Sequence, residues 1–425
     1  MRTNWVQFAT PVLLALAVYQ SGETAKAVPG RTRERLGVER AEIVRGTRVL
    51  RSGVIYELVH DLHVQGGTLV IEAGTRVEAA PGTGIIVDRA GRIDANGTAS
   101  EPIILTCSSP GQPGCWNGVV INGSARVNTG APTSPVIAGR SATGGCLEVT
   151  APSGAYGGCE DNDSSGVLRY VWLQDAGGAD GAALSLRAVG AHTVVNNIQV
   201  LRSLSSGISL RGGTVNLRYL RTILAAGVSL SWSEGWRGRA QYGVIQAKTG
   251  SLAAIEGGNL ETNPDALPRS APVLRNFTII GPSTADEGSG AAGVRLKSGS
   301  AATLQGFVVL NQPSTGAWAF DIDDDATWAR FDQNEVHFEA SLFVGFAPLG
   351  SLDEDPPHQG FFSPDVEGQI LREPSATNRV IVDFDTVANQ IKAAFGEIPD
   401  LRPKPGSALS NVPCKSRREI RSSMS

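Results

Sequence analysis

Leu168-Arg-Tyr-Val-Trp-Leu173, Val195-Asn-Asn-Ile-Gln-Val200, Leu217-Arg-Tyr-Leu-Arg-Thr222, Leu274-Arg-Asn-Phe-Thr-Ile279 and Leu304-Gln-Gly-Phe-Val-Val309 are five copies of one pattern. Each has an apolar residue, a two-residue polar or bend element, then an apolar-x-apolar strand. Ala240-Gln-Tyr-Gly-Val-Ile245 is a degraded sixth copy, and successive starts lie 27, 22, 23, 34 and 30 residues apart. Recurrence at a roughly constant period is the mark of a solenoid, and one coil takes about 20 residues or more. Surplus length has to leave as loops, and 257–270, with Asn263-Pro264 and Pro268, reads as one.

A second strand follows several copies: Ala183-Leu-Ser-Leu186, Gly207-Ile-Ser-Leu210, Gly227-Val-Ser-Leu230, Gly293-Val-Arg-Leu296 and Trp318-Ala-Phe-Asp-Ile322. The strands are short, alternate with period 2 and are rich in Val, Ile and Leu. Tight Asn-Gly turns do not separate them, so they do not read as hairpins. A single coil has nothing to bury its inner row against. Stacked coils bury a continuous apolar column with like strands about 4.8 Å apart. The expected fold is therefore all-β: a right-handed parallel β-helix with an N-terminal cap and a short C-terminal helix or tail. A β-sandwich also shows short alternating strands, but it does not require the strand pair to recur in the same order.

Working outward, 55–62, 68–72, 84–87 and 102–106 read as further strands broken by Gly, with 41–59 covering the first edge. The 425 residues divide into a signal peptide (1–27), a flexible charged leader (28–45), the solenoid (46–350), a C-terminal wrap or cap (351–410) and a disordered basic tail (411–425). The signal reading rests on Arg2, the run Val12-Leu-Leu-Ala-Leu-Ala-Val18 and Ala25-Lys-Ala27, a cleavage pattern; the run is too short to span a bilayer. Val387, Ile391 and Phe395 place one amphipathic helix at 385–395. With 51 Gly, 23 Pro and 18% charged residues the chain is turn-rich but ordered. Its net charge of −4 leaves no basic footprint for nucleic acid. Among five Cys, Cys107–Cys115 and Cys146–Cys159 each enclose a turn-rich loop, as local disulfides do in an oxidising compartment. Zinc competes poorly, since no CxxC occurs, and Cys414 is left over.

The strings Thr68-Leu-Val-Ile-Glu-Ala-Gly-Thr75, Gly91-Arg-Ile-Asp-Ala-Asn-Gly-Thr-Ala-Ser-Glu-Pro-Ile103, Cys115-Trp-Asn-Gly-Val-Val-Ile-Asn-Gly123 and Tyr156-Gly-Gly-Cys-Glu-Asp-Asn-Asp-Ser-Ser-Gly-Val-Leu-Arg-Tyr-Val171 come in that order. Together they resemble bacterial cell-surface parallel β-helix proteins of the pectin-lyase-like kind, over roughly 55–346. Pro399-Asp-Leu-Arg-Pro-Lys-Pro-Gly-Ser-Ala-Leu409 is similar to the closing segment of such β-helices. The resemblance implies an exported or surface protein and supplies no reaction. Relatives tend to carry acidic clusters where this chain has Ser205-Ser-Gly-Ile-Ser-Leu-Arg-Gly-Gly213 and Ala225-Ala-Gly-Val-Ser-Leu-Ser-Trp-Ser233.

Four groups are candidates for chemistry. With Phe320 and Ile322 inward, Asp321 and Asp323 point out from one strand roughly 7 Å apart. Together with Asp325 they are candidate ligands for Ca²⁺, or acids of a polysaccharide-cleaving site; the plainer alternative is a solvated acidic turn. Glu160-Asp-Asn-Asp163, beside Cys159, offers the same choice between an ion site and a polar turn. Arg169, Arg218 and Arg275 hold one repeat position, a partial ladder for an anionic glycan. Asn196 and Gln241 interrupt it, so a solvated surface is the expectation. Trp232 and Trp236 are either sugar-stacking platforms or core. His60 and His63 face opposite sides of a strand and make no metal pair. The leading functional expectation is a non-catalytic secreted or surface β-helix presenting loops to a glycan or a surface protein. The alternatives are a polysaccharide lyase or glycoside hydrolase, and a cell-envelope scaffold.

Overall fold

The computed structural model describes residues 32–129, 131–132, 146–178, 181–281, 291–310, 318–339, 341–344, 379–381, 391–393 and 400–403. The stretches read as a signal peptide (1–27) and a disordered tail (411–425), with Cys414, lie outside them. Nearly all regular structure is strand, and all the long ladders are parallel. The strands sort into three stacked ladders, which makes the expected parallel β-helix.

Each coil runs through three faces in turn. Sheet 1 holds ten strands, from Glu42–Val44 through Leu62–Val64, Gly84–Val87, Gly118–Asn122 and Ala182–Arg187 to Trp318–Ile322. Sheet 2 starts at Thr47–Leu50 and reaches Val336–Glu339; sheet 3 starts at Thr32–Leu36 and reaches Arg379–Ile381. Five long strands run through both sheets 2 and 3: Gly166–Gln174, Val194–Leu201, Asn216–Ile223, Arg239–Gln246 and Val273–Ile280. Each turns the corner at a single residue with positive φ, namely Tyr170, Asn197, Tyr219, Tyr242 and Asn276, and Gly306 does so in the next coil. These are the bend elements of the repeat. A left-handed residue costs Tyr more than Asn or Gly, and the flanking ladders hold it in place.

The repeat register is as read from sequence. Leu168, Val195, Leu217, Ala240, Leu274 and Leu304 stand opposite one another and are buried. On sheet 1, Ala183 and Gly207 begin matching segments, but Leu230 pairs with Ile208 and not with Leu210. The Gly227-Val-Ser-Leu230 copy is therefore shifted by two residues, which preserves its face and moves Trp232 into the inner row Leu186, Leu210, Trp232, Gly257, Leu296. A bulky ring in that row needs an empty neighbour. A Cβ on Gly257 would lie 2.0 Å from Cζ2 of Trp232. The inner row of sheet 3 repeats the device: a Cβ on Gly243 would lie 2.1 Å from Cε1 of Phe277, and the Phe277 ring stacks on Phe307 at 5.3 Å.

Three expectations need correction. Thr32–Leu36 and Glu42–Val44 are the first strands of the ladders, not part of a flexible leader. Their charges are cross-strand pairs: Arg33 meets Glu57 and, at 3.0 Å, Glu78, while Arg48 meets Glu34 and Glu42. Past 350, Arg379–Ile381 continues sheet 3 in parallel with Leu342–Val344. Within the helix expected at 385–395, Ile391–Ala393 is instead a strand paired antiparallel with Asp400–Pro403. The one helix described is α1, Asp325–Asp332, which the sequence pattern did not reveal.

Two corners carry the insertions. Between sheets 3 and 1, residues 108–117 loop out and are closed by the Cys107–Cys115 disulfide. Between sheets 1 and 2, the described residues 123–129, 131–132 and 146–165 form an arm that carries the Cys146–Cys159 disulfide and a small antiparallel sheet, Ala131–Pro132, Leu147–Ala151 and Gly154–Tyr156. Val127 and Tyr156 of the arm bury a second small cluster with Ala188 of the coil.

Candidate functional site

The outward row of sheet 1 reads His63, Ile86, Val120, Ser185, Ser209, Ser231, Glu256, Arg295, Asp321. Its charged end is closed on itself. Arg295 Nε donates to Asp321 Oδ2 at 2.7 Å and lies 3.9 Å from Asp323; Lys297 meets Glu256 at 3.0 Å. Burial pushes the Asp321 carboxyl above the usual range, and the Arg295 guanidinium pulls it back. Asp324 is the N-cap of α1: its side chain accepts from the Thr327 backbone N–H and hydroxyl, each at 2.8 Å, and from the Ser298 N–H. Asp325 sits in the first turn of the same helix. The acids read as candidate ligands thus serve an arginine and a helix. Among the described residues, no group of three or more His, Cys, Asp or Glu side chains is placed to hold a metal ion.

The acidic turn at 160–163 fastens the arm. Asp161 accepts from Arg126, through both backbone and guanidinium, and from Arg237 at 3.2 Å. Burial raises the Asp161 carboxyl, but these donors outweigh it and hold the group below the usual carboxylate range. Asp163 accepts from the Ser124 N–H at 3.3 Å. Farther along the coils, buried Glu234 accepts from the Tyr156 hydroxyl at 2.9 Å and from Arg211. Arg187 and Arg211 lie over the Tyr156 ring at 5.9 and 5.6 Å. Burial and the Glu234 charge push the Tyr156 phenol well above its ordinary range. At the arm's base, the Asn128 amide donates to Asn259 at 2.7 Å. Arg126 and Asn128 precede, and Tyr156 and Asp161 follow, the span that lies outside the described residues. Sequence reasoning missed Tyr156 and Glu234, whose partners are 78 residues apart.

Trp232 and Trp236 are 2% and 0% exposed, so neither ring is a surface platform. Their indole N–H groups donate inward, Trp232 to Ser300 at 3.0 Å and Trp236 to the Val215 carbonyl at 3.2 Å. The outward side chains of sheet 3 are no open surface either: Trp172, Leu201, Ile223, Val244, Ile280 and Leu310 are all buried.

Sheet 2 differs from both. Its outward row reads Arg169, Asn196, Arg218, Gln241, Arg275, Gln305 and Glu339, each residue opposite the next, with the Gln305 amide donating to Glu339 at 2.9 Å. Arg169, Arg218 and Arg275 are exposed, and Arg239 is exposed in the row beside them. Among the described residues none of these four forms an ion pair, whereas Arg33, Arg48, Arg126, Arg202, Arg211 and Arg295 all do. The adjoining corner carries Tyr219 stacked on Tyr242 at 5.1 Å and 11°, with the Arg218 guanidinium 5.7 and 5.9 Å from the two ring centres. The sequence carried a signal for this ridge: the arginines share one repeat position and the tyrosines the next.

Three parallel ladders, closed apolar columns and loop-bearing corners define a β-helix whose second sheet carries a row of exposed arginines that form no ion pair among the described residues. The chain belongs to the pectate-lyase like beta helix domain family, whose model matches residues 42–353. No curated protein and no solved structure matches it.

Proposed function

We propose that this protein is a non-catalytic, exported β-helix that binds an extended glycan along the outward face of sheet 2. One observation carries the reading. Arg169, Arg218, Arg239 and Arg275 are exposed without carboxylate partners, on a face with no insertions between Leu168 and Gln241 strands and with amides interleaved. Guanidinium and amide groups in a flat row suit the hydroxyls and acids of a sugar chain. Export is supported by the N-terminal cleavage pattern and by two disulfides. No helix among the described residues is long and apolar enough to cross a membrane.

A lyase or hydrolase is the second reading. The raised Asp321 carboxyl on sheet 1 favours it, and the Arg295 pairing weighs against it. The test is a panel of immobilised polysaccharides assayed for both retention and depolymerisation. Retention without shortened chains is the expected result. Depolymerisation that Asp321→Ala and Asp323→Ala abolish would establish the second reading instead, and retention by none of the panel would end the glycan reading.

A further inference from the structure

Resting on the reading of sheet 2 as a glycan surface, we propose that its ligand is an acidic polysaccharide charged at every second sugar. The row alternates over five coils, Arg169, Asn196, Arg218, Gln241 and Arg275, and is closed in the next two by Gln305, whose amide donates to Glu339 at 2.9 Å. Neighbouring strands of a sheet lie about 4.8 Å apart, so the guanidinium groups recur about every 9.6 Å along the solenoid. The sequence lengths of the coils do not disturb this. Gln241 and Arg275 are 34 residues apart and still direct neighbours in the ladder, because the surplus leaves as the loop that holds Asn263. The stacked Tyr219 and Tyr242 rings, 5.1 Å apart, repeat the same spacing at the corner.

An extended chain of equatorially linked pyranoses advances by close to one strand spacing per sugar. A chain lying along the ridge then sets successive sugars against successive coils. Carboxylates on alternate sugars meet arginines, which bind them through two parallel N–H donors. The sugars between meet Asn196 and Gln241, whose uncharged side-chain amides suit hydroxyls and acetamido groups. Interruption of the ladder, which by itself argues for plain solvation, becomes a match to this repeat. Two other polyanions fit less well. A polymer acidic at every sugar leaves every second carboxylate opposite an amide. A strand of duplex DNA carries a phosphate about every 3.4 Å along its axis, out of step with the row. Arg218 is also held in place by the two tyrosine rings, which lowers the ordering cost of binding.

The experiment measures affinity of the full chain for four soluble polymers at two salt concentrations: an alternating uronate–hexosamine chain, a homopolyuronate, a neutral β-linked glucan and single-stranded DNA. The alternating chain is expected to bind tightest and to weaken with salt. Arg169→Gln, Arg218→Gln and Arg275→Gln are each expected to lower its affinity roughly two- to fivefold, the scale of an exposed ion pair. These substitutions suit the fold, since the chain already carries Gln241 and Gln305 at the same position of the repeat. Asn196→Arg combined with Gln241→Arg fills the gaps and is expected to move the preference to the homopolyuronate. Tightest binding of the homopolyuronate or of DNA by the unaltered chain overturns the proposal. So does affinity for the alternating chain that the triple Gln variant leaves unchanged. Equal binding of the neutral glucan overturns it too but leaves the glycan surface standing, while binding of no glycan removes both.

Discussion

Replacing Gly257 by Ala tests whether the inner row of sheet 1 is packed as described. The new methyl carbon would start 2.0 Å from Cζ2, 2.1 Å from Cε2 and 2.7 Å from Cη2 of Trp232. Ordinary carbon contacts lie at about 3.5–4.0 Å, so the ring must retreat by about 1.5 Å. It is tethered, because its N–H donates to Ser300, whose hydroxyl in turn faces the Ala301 carbonyl at 3.0 Å. Overpacking of this kind costs about 1–3 kcal/mol. Trp232→Leu alone removes the ring and leaves a void, costing about 2–5 kcal/mol. The two changes together are expected to interact: Gly257→Ala in the Leu background should be neutral, or stabilising by about 0.4–1 kcal/mol through its effect on the unfolded chain. The assay is denaturant unfolding of all four proteins, comparing midpoints at constant slope. An interaction energy below about 0.5 kcal/mol would mean that the glycine is not there for the indole, and the packing argument would be wrong.

The arm at 123–165 should come loose at both ends of the pH scale, read by limited proteolysis. Asp161 sits below its ordinary range, so its contribution is present above the unfolded carboxylate pKa and is lost as pH falls through the depressed one; Asp161→Asn should abolish this acid response. Tyr156 sits above its ordinary range, so its contribution holds below the unfolded phenol pKa of about 10 and is lost as pH rises beyond it; Tyr156→Phe should remove the alkaline response. Asp324→Ala is expected to cost about 1–2 kcal/mol in thermal or denaturant unfolding by uncapping α1, and an unchanged midpoint would contradict the cap. Reducing or replacing the Cys107–Cys115 pair should destabilise the chain by about 2–3 kcal/mol, checked by the shift in melting temperature with and without reductant.

The solenoid was legible because burial acts on every coil alike. Leu168, Val195 and Leu217 are chosen by one column, so the column leaves a trace at a fixed spacing. The two-residue offset of Trp232 was not legible, since a shift of two preserves the alternation and only its neighbour Gly257 betrays it. The charged Thr32–Leu36 run looked like a leader because a strand at the first edge has one covered face and shows its charges. Its partners, Glu57 and Glu78, lie 24 and 45 residues away. The acids at 321–325 were visible as a cluster, but their employment was not: Asp321 answers to Arg295 and Asp324 to a helix the pattern did not show. The arginines of sheet 2 were found at the right repeat position. Their availability depends on which carboxylates fold nearby, and no local spacing reports that.

The single-residue corner between sheets 2 and 3 has a consequence for how this molecule tolerates change. At Tyr170, Asn197, Tyr219, Tyr242, Asn276 and Gly306 the backbone turns without slack, and both neighbours are already committed to ladders. One added residue there would break two ladders at once. In these coils lengthening is absorbed at the other two corners, whereas in the first coils the corner between sheets 2 and 3 takes the longer links 51–53, 72–75 and 97–102. From Tyr170 to Gly306 the ridge is therefore a stretch of surface that grows in length when a coil is added and keeps its height. Tags, fusions or grafted epitopes belong at the opposite corners, and whole coils are the natural unit for extending or shortening the protein.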